Sequence, residues 1–202
     1  MVPTITEAME VWEPHFQRIA QMHVDAWAEW KAVRRFRLEN GFGPILYKRE
    51  ITNYIFGAIA RNAIPEFGSI DDVNVLAGSQ TFKIHHRGQL LRFKKGNLNS
   101  LGMNIPTQSV LDFIQADAEL SGMPPETAKL EVTWRGNELF TELESVHIVA
   151  RDGNKLVWKI PVDLNVNASL VLLPTRVADE PEDDIRALVR PKPKKNTEVG
   201  KD

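Results

Sequence analysis

The sequence contains no cysteine among its 202 residues. Without cysteine, the chain can form no disulfide bond and has no thiol nucleophile, and it cannot hold cysteine-ligated zinc or an iron–sulfur cluster. It also suits a reducing compartment, and the first residues carry acids without an apolar run of the length of a secretion signal. We therefore expect a cytoplasmic protein.

Common motifs of catalysis and cofactor binding are also missing. The sequence has no HExxH pair, no GxSxG turn and no glycine-rich phosphate loop. His85 and His86 are adjacent, so on a strand their rings face opposite sides and cannot bind one metal ion. We expect no metal and no cofactor, and an enzyme is the less favoured interpretation. A hydrolytic site assembled from distant residues stays open, with His85, His86 or His147 as its base.

Neither a large net charge nor a long apolar run is present. The formal net charge is -2, so the whole molecule is no general attractor for nucleic acid. The longest strongly apolar stretch, residues 164–174, is too short to cross a membrane, and we expect no membrane partner. Charge is nevertheless segregated, because residues 69–104 carry 5 basic and 2 acidic side chains whereas residues 105–175 carry 5 and 10.

Apolar spacing in the N-terminal third predicts a helical hairpin. Over residues 14–39, apolar side chains recur at intervals of three and four, and Pro14 suits the first turn. The glycines and proline of residues 40–44 end this helix, and a second follows over residues 46–62. We expect Pro65 to end the second helix.

Later segments alternate with a period of two, which predicts strands. Residues 81–95 form a hairpin around Arg87 and Gly88, and three further strands cover residues 128–135, 139–151 and 156–160. A short helix after Thr107 and a strand within residues 168–174 complete the pattern. The predicted fold is α+β, an N-terminal helical hairpin followed by a mostly antiparallel sheet with one inserted helix. We expect the helices to cover one sheet face and solvent to cover the other.

The predicted organisation has three parts. Residues 1–68 form a helical segment, and residues 69–175 form a sheet region packed with it as one domain. Residues 176–202 are acidic, then basic and proline-bearing, with few large apolar groups, so we expect a disordered charged tail.

The basic hairpin "TFKIHHRGQLLRFKKGN", residues 81–97, is the predicted binding site. We call residues 81–95 the basic ribbon. Its candidate binding residues are Lys83, His85, Arg87, Arg92, Lys94 and Lys95. Such a ribbon can contact an acidic protein surface or a phosphate backbone, although Lys on a strand also serves solubility alone.

Segments between residues 80 and 162, among them "IHHRGQLLRFKK", "SGMPPETAKLEVTW" and "GNKLVWKIPV", resemble small uncharacterised bacterial and phage proteins. Such proteins are often encoded beside helix-turn-helix regulators or their metalloprotease partners. The resemblance offers no catalytic residues, but it implies a regulatory setting.

These observations favour a non-enzymatic binding or regulatory protein that acts by protein–protein contact through the basic ribbon and the polar sheet face. Nucleic-acid binding by the same ribbon is the first alternative, and the hydrolytic enzyme is the second. The sequence indicates neither the partner's identity nor the oligomeric state.

Overall fold

The computed structural model describes residues 2–78 and 81–166. Its helices are α1 (Ile5–Trp12), α2 (Phe16–Glu39), α3 (Lys48–Gly68) and α4 (Gln108–Ile114). Its strands are β1 (Val73–Ala77), β2 (Phe82–His86), β3 (Gln89–Lys95), β4 (Ala128–Gly136), β5 (Leu143–Asp152) and β6 (Lys155–Val162). The predicted α+β class is confirmed. The strand predicted within residues 168–174 and the tail predicted at 176–202 lie outside the described residues.

Helix α1 was not predicted, although the sequence carries its start signal. The Glu7 backbone N–H donates to Thr4 Oγ1 over 3.2 Å, and the Thr4 N–H donates to the Glu7 carboxylate over 2.7 Å. This reciprocal pair is a capping box, which satisfies two backbone donors at a helix start. Ala8, Val11 and Trp12 of α1 are buried. A 3₁₀ turn, Glu13–His15, then leads into α2.

Helices α2 and α3 form the predicted hairpin, but α3 is longer than predicted. It continues past Pro65 to Gly68, so the prediction that Pro65 ends the helix is wrong. A proline in the last turn removes one backbone hydrogen bond, and the helix can tolerate that loss where burial holds the turn in place. Phe67 supplies that burial, since its side chain is fully enclosed in the core.

The six strands form one sheet in chain order, β1 to β6. All neighbouring pairs are antiparallel except β3 and β4, which run parallel with Gln89 opposite Ala128. A parallel pair requires a crossover connection, which a tight turn cannot provide. Residues 96–127 make that crossover, and α4 lies within it.

The main core lies between the helices and one sheet face. Five of its aromatic side chains are at most 1% exposed, namely Trp12, Phe67, Phe82, Phe93 and Trp134. Phe82 and Phe93 stack across β2 and β3 with ring centroids 4.5 Å apart. The alternation in the sequence therefore correctly places Phe82, Ile84, Leu91 and Phe93 of the basic ribbon against the helices.

The opposite sheet face is covered over its centre by the crossover, so the prediction of a fully solvated face is wrong. Leu90 of β3 packs with Phe113 and Ile114 of α4 in a second small core. Lys129 of β4 holds this helix in place, because its Nζ donates to the carbonyl oxygens of Asp112, Gln115 and Ala118. A cation at these carbonyls complements the C-terminal end of a helix.

Candidate functional site

Arg92 of the basic ribbon is buried beneath the crossover and is not available to a partner. Its side chain is 4% exposed and its Nη2 lies 2.5 Å from Oε1 of the fully buried Glu131. The guanidinium carbon also lies 3.9 Å from the ring centroid of Phe113 in α4. Glu131 accepts two further hydrogen bonds, from Arg151 Nη1 over 3.3 Å and from the Gly102 N–H over 2.9 Å. The predicted docking cation is thus part of an internal ion network.

Lys83 and Lys94 flank Arg92 on the same sheet face and are half-buried. Burial lowers the pKa of both lysines, and the adjacent charge of Arg92 lowers it further. His85 is also half-buried, whereas Arg87 is exposed at the turn between β2 and β3. These four side chains therefore do not form a continuous open surface with Arg92.

Lys95 lies on the helix side of the sheet, away from Lys94. Its Nζ sits 4.5 Å from the ring centroid of Phe140. Burial lowers the pKa of Lys95, and the charge of Lys48 at the start of α3 lowers it further. The six predicted binding residues are accordingly divided among a buried network, a half-buried face, a turn and the vicinity of α3.

A more strongly cationic surface lies where α2 and α3 meet. We call residues 31–49 the helical tip; it comprises the end of α2, the connecting loop and the start of α3. It carries one acidic side chain, Glu39, and six basic ones, a balance of +5: Lys31, Arg34, Arg35, Arg37, Lys48 and Arg49. The ion pairs of the described residues involve none of these six. The charge of the helical tip is therefore not neutralised by neighbouring carboxylates within this part of the chain.

Large apolar side chains are exposed on the same surface. At least half of each is accessible to solvent, and the set is Phe36, Leu38, Phe42, Leu46 and Tyr47. Phe36 and Phe42 stack with centroids 6.4 Å apart, and Arg37 donates from Nη2 to the Gly43 carbonyl over 2.9 Å. The loop is thus ordered by local contacts while its apolar groups stay in water. Large exposed apolar side chains that cluster, as the stacked Phe36 and Phe42 do, are typical of interaction sites.

A small cleft of about 160 Å³ opens within the helical tip. Trp30, Ile45, Ile51 and Leu139 provide its apolar wall, and Arg34 and Arg37 also line it. The Trp30 indole N–H donates to the Phe140 carbonyl over 2.8 Å, which fixes the β4–β5 loop that carries Leu139. The cleft therefore has a rigid apolar floor next to two cations.

Features of an enzyme or a metal site are sparse in the described part of the chain. Residues 2–78 and 81–166 contain no group of three or more histidine, aspartate or glutamate side chains that could hold a metal ion. His147 lines a polar pocket, but no carboxylate lines it as well. Glu144 of β5 is paired with Arg135, with Oε2 lying 2.8 Å from Nε. None of the helices in these ranges combines the length and apolar character needed to span a membrane.

Sequence reasoning missed the helical tip because it compared charge over long segments. Residues 1–68 carry 8 basic and 8 acidic side chains, so their sum hides the local excess. A charge count restricted to residues 31–49 reveals the excess. The accompanying signal is the placement of Phe36, Phe42 and Tyr47 among arginines, on positions that the apolar stripe of either helix does not include.

The chain matches no protein-family model, and neither a curated protein nor a solved structure shows significant similarity to it. The bacterial or phage setting indicated by the sequence therefore stays a prediction, and the function has to be argued from the surface itself.

Proposed function

We propose that this chain is a non-enzymatic binding protein whose helical tip docks an acidic, apolar-anchored segment of a partner protein. The observation that supports this function is the cleft beside Arg34 and Arg37, on a surface with a balance of +5 and exposed apolar side chains. The proposal keeps the protein–protein contact predicted from the sequence and moves it from the basic ribbon to the helical tip. A regulatory role in the cytoplasm of a bacterium or in a phage-infected cell belongs to the same proposal.

Charge selects the partner. Six cations without internal carboxylate partners attract an acidic surface and raise the rate of encounter, most strongly at low salt. Lys95 adds to this field, because it lies close enough to Lys48 for the two charges to interact. An acidic segment gains favourable pairing here, whereas a basic one is repelled.

Apolar burial supplies the affinity. The cleft of about 160 Å³ is smaller than the ~300–1,000 Å³ typical of small-molecule sites, and it suits one aliphatic or aromatic side chain. Interface energy is concentrated in such anchored side chains at the centre of a contact. Exposed Leu38, Leu46 and Leu139 favour a protein partner, because aliphatic groups provide no stacking platform for bases. Exposed Phe36, Phe42 and Tyr47 fit either kind of partner, so the oligonucleotide comparison below is part of the test.

The test uses two synthetic peptides with the same number of Asp and Glu residues. One carries Leu and Phe at helical spacing, and the other has Ser at those positions. We expect the apolar peptide to bind the full chain at least about tenfold more tightly, and to shift NMR resonances at Arg34, Leu46 and Tyr47. Equal binding of both peptides would contradict the proposal, since charge alone would then explain it.

Matched variants locate the surface. Arg34→Glu combined with Arg49→Glu is expected to weaken binding of the apolar peptide by at least about tenfold with an unchanged melting temperature, since both side chains are exposed. Arg87→Glu, a charge reversal at the exposed turn of the basic ribbon, is the control and should bind normally. Loss of binding in Arg87→Glu alone, or tighter binding of a single-stranded oligonucleotide than of the peptide, would overturn the assignment.

A further inference from the structure

A polar pocket of about 220 Å³ lies on the sheet face opposite the main helices, where the start of the crossover meets the sheet. Loop residues 96–100 form one wall and strands β4, β5 and β6 form the other. The register places Thr133 opposite His147 and Arg135 opposite Ser145, so these four side chains lie on one face. Lys159 of β6 completes the strand wall.

The pocket concentrates positive charge without an acidic lining residue. Lys159 Nζ lies 3.3 Å from Ser100 Oγ, which is a neutral partner. Arg135 is bound through Nε to Glu144 at a half-exposed position, so its charge is partly balanced there. Burial lowers the pKa of His147, and the charges of Lys159 and Arg135 lower it further. A bound anion would relieve this repulsion.

The pocket also presents hydroxyl donors, one of them unpaired. Thr133 is 2% exposed, and its buried Oγ1 has no hydrogen-bond partner among the described residues. A buried hydroxyl without a partner is available to donate to a bound group. Gly96 packs directly against Thr133, since a Cβ at that position would lie 3.3 Å from Thr133 Cβ and 3.6 Å from Oγ1, and the missing side chain is what lets the loop approach the strand wall of the pocket so closely. Ser100 and Ser145 contribute two more hydroxyls to the lining.

We propose that this pocket binds a phosphate group, either as free inorganic phosphate or as the phosphomonoester of a small metabolite. Lys159 supplies a point charge, and the Thr133, Ser145 and Ser100 hydroxyls together with the His147 ring supply hydrogen-bond donors. Phosphate oxygens accept from such donors in several directions, and charge-assisted bonds of this kind are the strong ones. The site lies on a different sheet face and on different elements from the helical tip, and it does not depend on the peptide docking proposed there.

The first experiment follows the His147 ring by NMR while inorganic phosphate is added at constant ionic strength, with chloride as the replaced anion. His147→Gln assigns the resonance. We expect phosphate to shift the His147 titration to higher pH, because a nearby anion favours the protonated ring. An unchanged His147 titration in phosphate would overturn the proposal.

Variants then test the named donors by isothermal titration. Lys159→Gln is expected to weaken phosphate binding by at least about tenfold, whereas Lys155→Gln on the same strand, outside the pocket lining, should bind normally. Thr133→Val should weaken binding without lowering the melting temperature, since it removes an unpaired hydroxyl. Equal losses in Lys159→Gln and Lys155→Gln would contradict the site. Glycerol phosphate separates the two sources: tighter binding than inorganic phosphate indicates a metabolite, and equal binding indicates the free ion.

Discussion

At the scale of single residues, we expect the buried carboxylate of Glu131 to contribute strongly to the stability of the sheet. It is fully enclosed and accepts hydrogen bonds from Arg92, Arg151 and the Gly102 backbone. Removing one partner of a buried ion pair leaves the other charges uncompensated, which costs more than the pair contributes in net terms.

Glu131→Gln is therefore expected to lower the free energy of unfolding by about 3–5 kcal/mol, measured by urea denaturation. Glu144→Gln removes a half-exposed ion pair with Arg135 and is the matched control, with an expected loss below about 1 kcal/mol. Similar losses in the two variants would show that the buried network carries no special share of the stability.

The same residues show where local patterns stop being informative. Alternation along residues 81–95 correctly placed Arg92 on the face opposite Phe93. Whether that face is exposed to solvent depends on Phe113 and Gly102, which follow later in the sequence and lie over Arg92 and Glu131 in the fold. The alternation within a strand contains no information about such a distant segment, so the side of the sheet was predictable and the burial was not.

At the scale of elements, α4 depends on Lys129 of β4 for its position. The Nζ group donates to three carbonyl oxygens at and beyond the end of this short helix. The Gly153 N–H also donates to the Ile114 carbonyl over 2.8 Å, which ties α4 to the β5–β6 turn.

Lys129→Met keeps most of the apolar stem and removes the donor. We expect faster amide hydrogen exchange over residues 108–116 and a stability loss of about 1.5–3 kcal/mol, the range for hydrogen bonds to charged groups. Lys155→Met on β6 is the control and should leave exchange in α4 unchanged. Unaltered protection of α4 in Lys129→Met would show that Phe113 and Ile114 alone hold the helix.

The sequence predicted helices and strands correctly where their apolar pattern is long and regular. It failed where a single interaction determines whether an element forms or which strand it pairs with. The period of two located β4 and β6 almost to the residue, and the apolar stripe located α2. Helix α1 is short, so its stripe is weak and only the Thr4–Glu7 cap identifies it. The parallel pairing of β3 and β4 was missed, because alternation is the same for either strand direction.

At the scale of the whole molecule, His23 links stability to pH. It lies in the main core on α2, its Nδ1–H donates to the Ile19 carbonyl over 2.6 Å, and its ring stacks on Phe93 of β3. Burial lowers the pKa of His23 from 6.5 to about 4. Between these values the unfolded chain binds a proton that the folded chain does not, so stability falls as pH decreases through this range.

The expected loss between pH 7 and pH 4 from this residue is about 3 kcal/mol, at ~1.4 kcal/mol for each pKa unit. His23→Leu should flatten the dependence of unfolding free energy on pH by that amount, measured by urea denaturation at several pH values. Carboxylates that titrate below pH 5 affect both proteins alike and cancel in the comparison. Parallel pH curves for the two proteins would contradict the assignment.

The fold class of the whole molecule followed from the order of helical and strand patterns along the sequence. The surface chemistry did not follow from those patterns. Net charge was summed over residues 1–68, where acidic side chains outside the helical tip offset its basic ones.

The parallel pairing of β3 with β4 also has a kinetic consequence. Strands β2 and β3 are joined by a turn at Arg87 and Gly88, and β5 and β6 by a turn at Gly153 and Asn154, so both hairpins can form by local search. Joining Gln89 to Ala128 requires closure of a much longer loop, whose entropy must be lost before any ladder hydrogen bond forms. We expect the pairing of β3 with β4 to be the slow step of folding, and the sheet halves β1–β3 and β4–β6 to form before it.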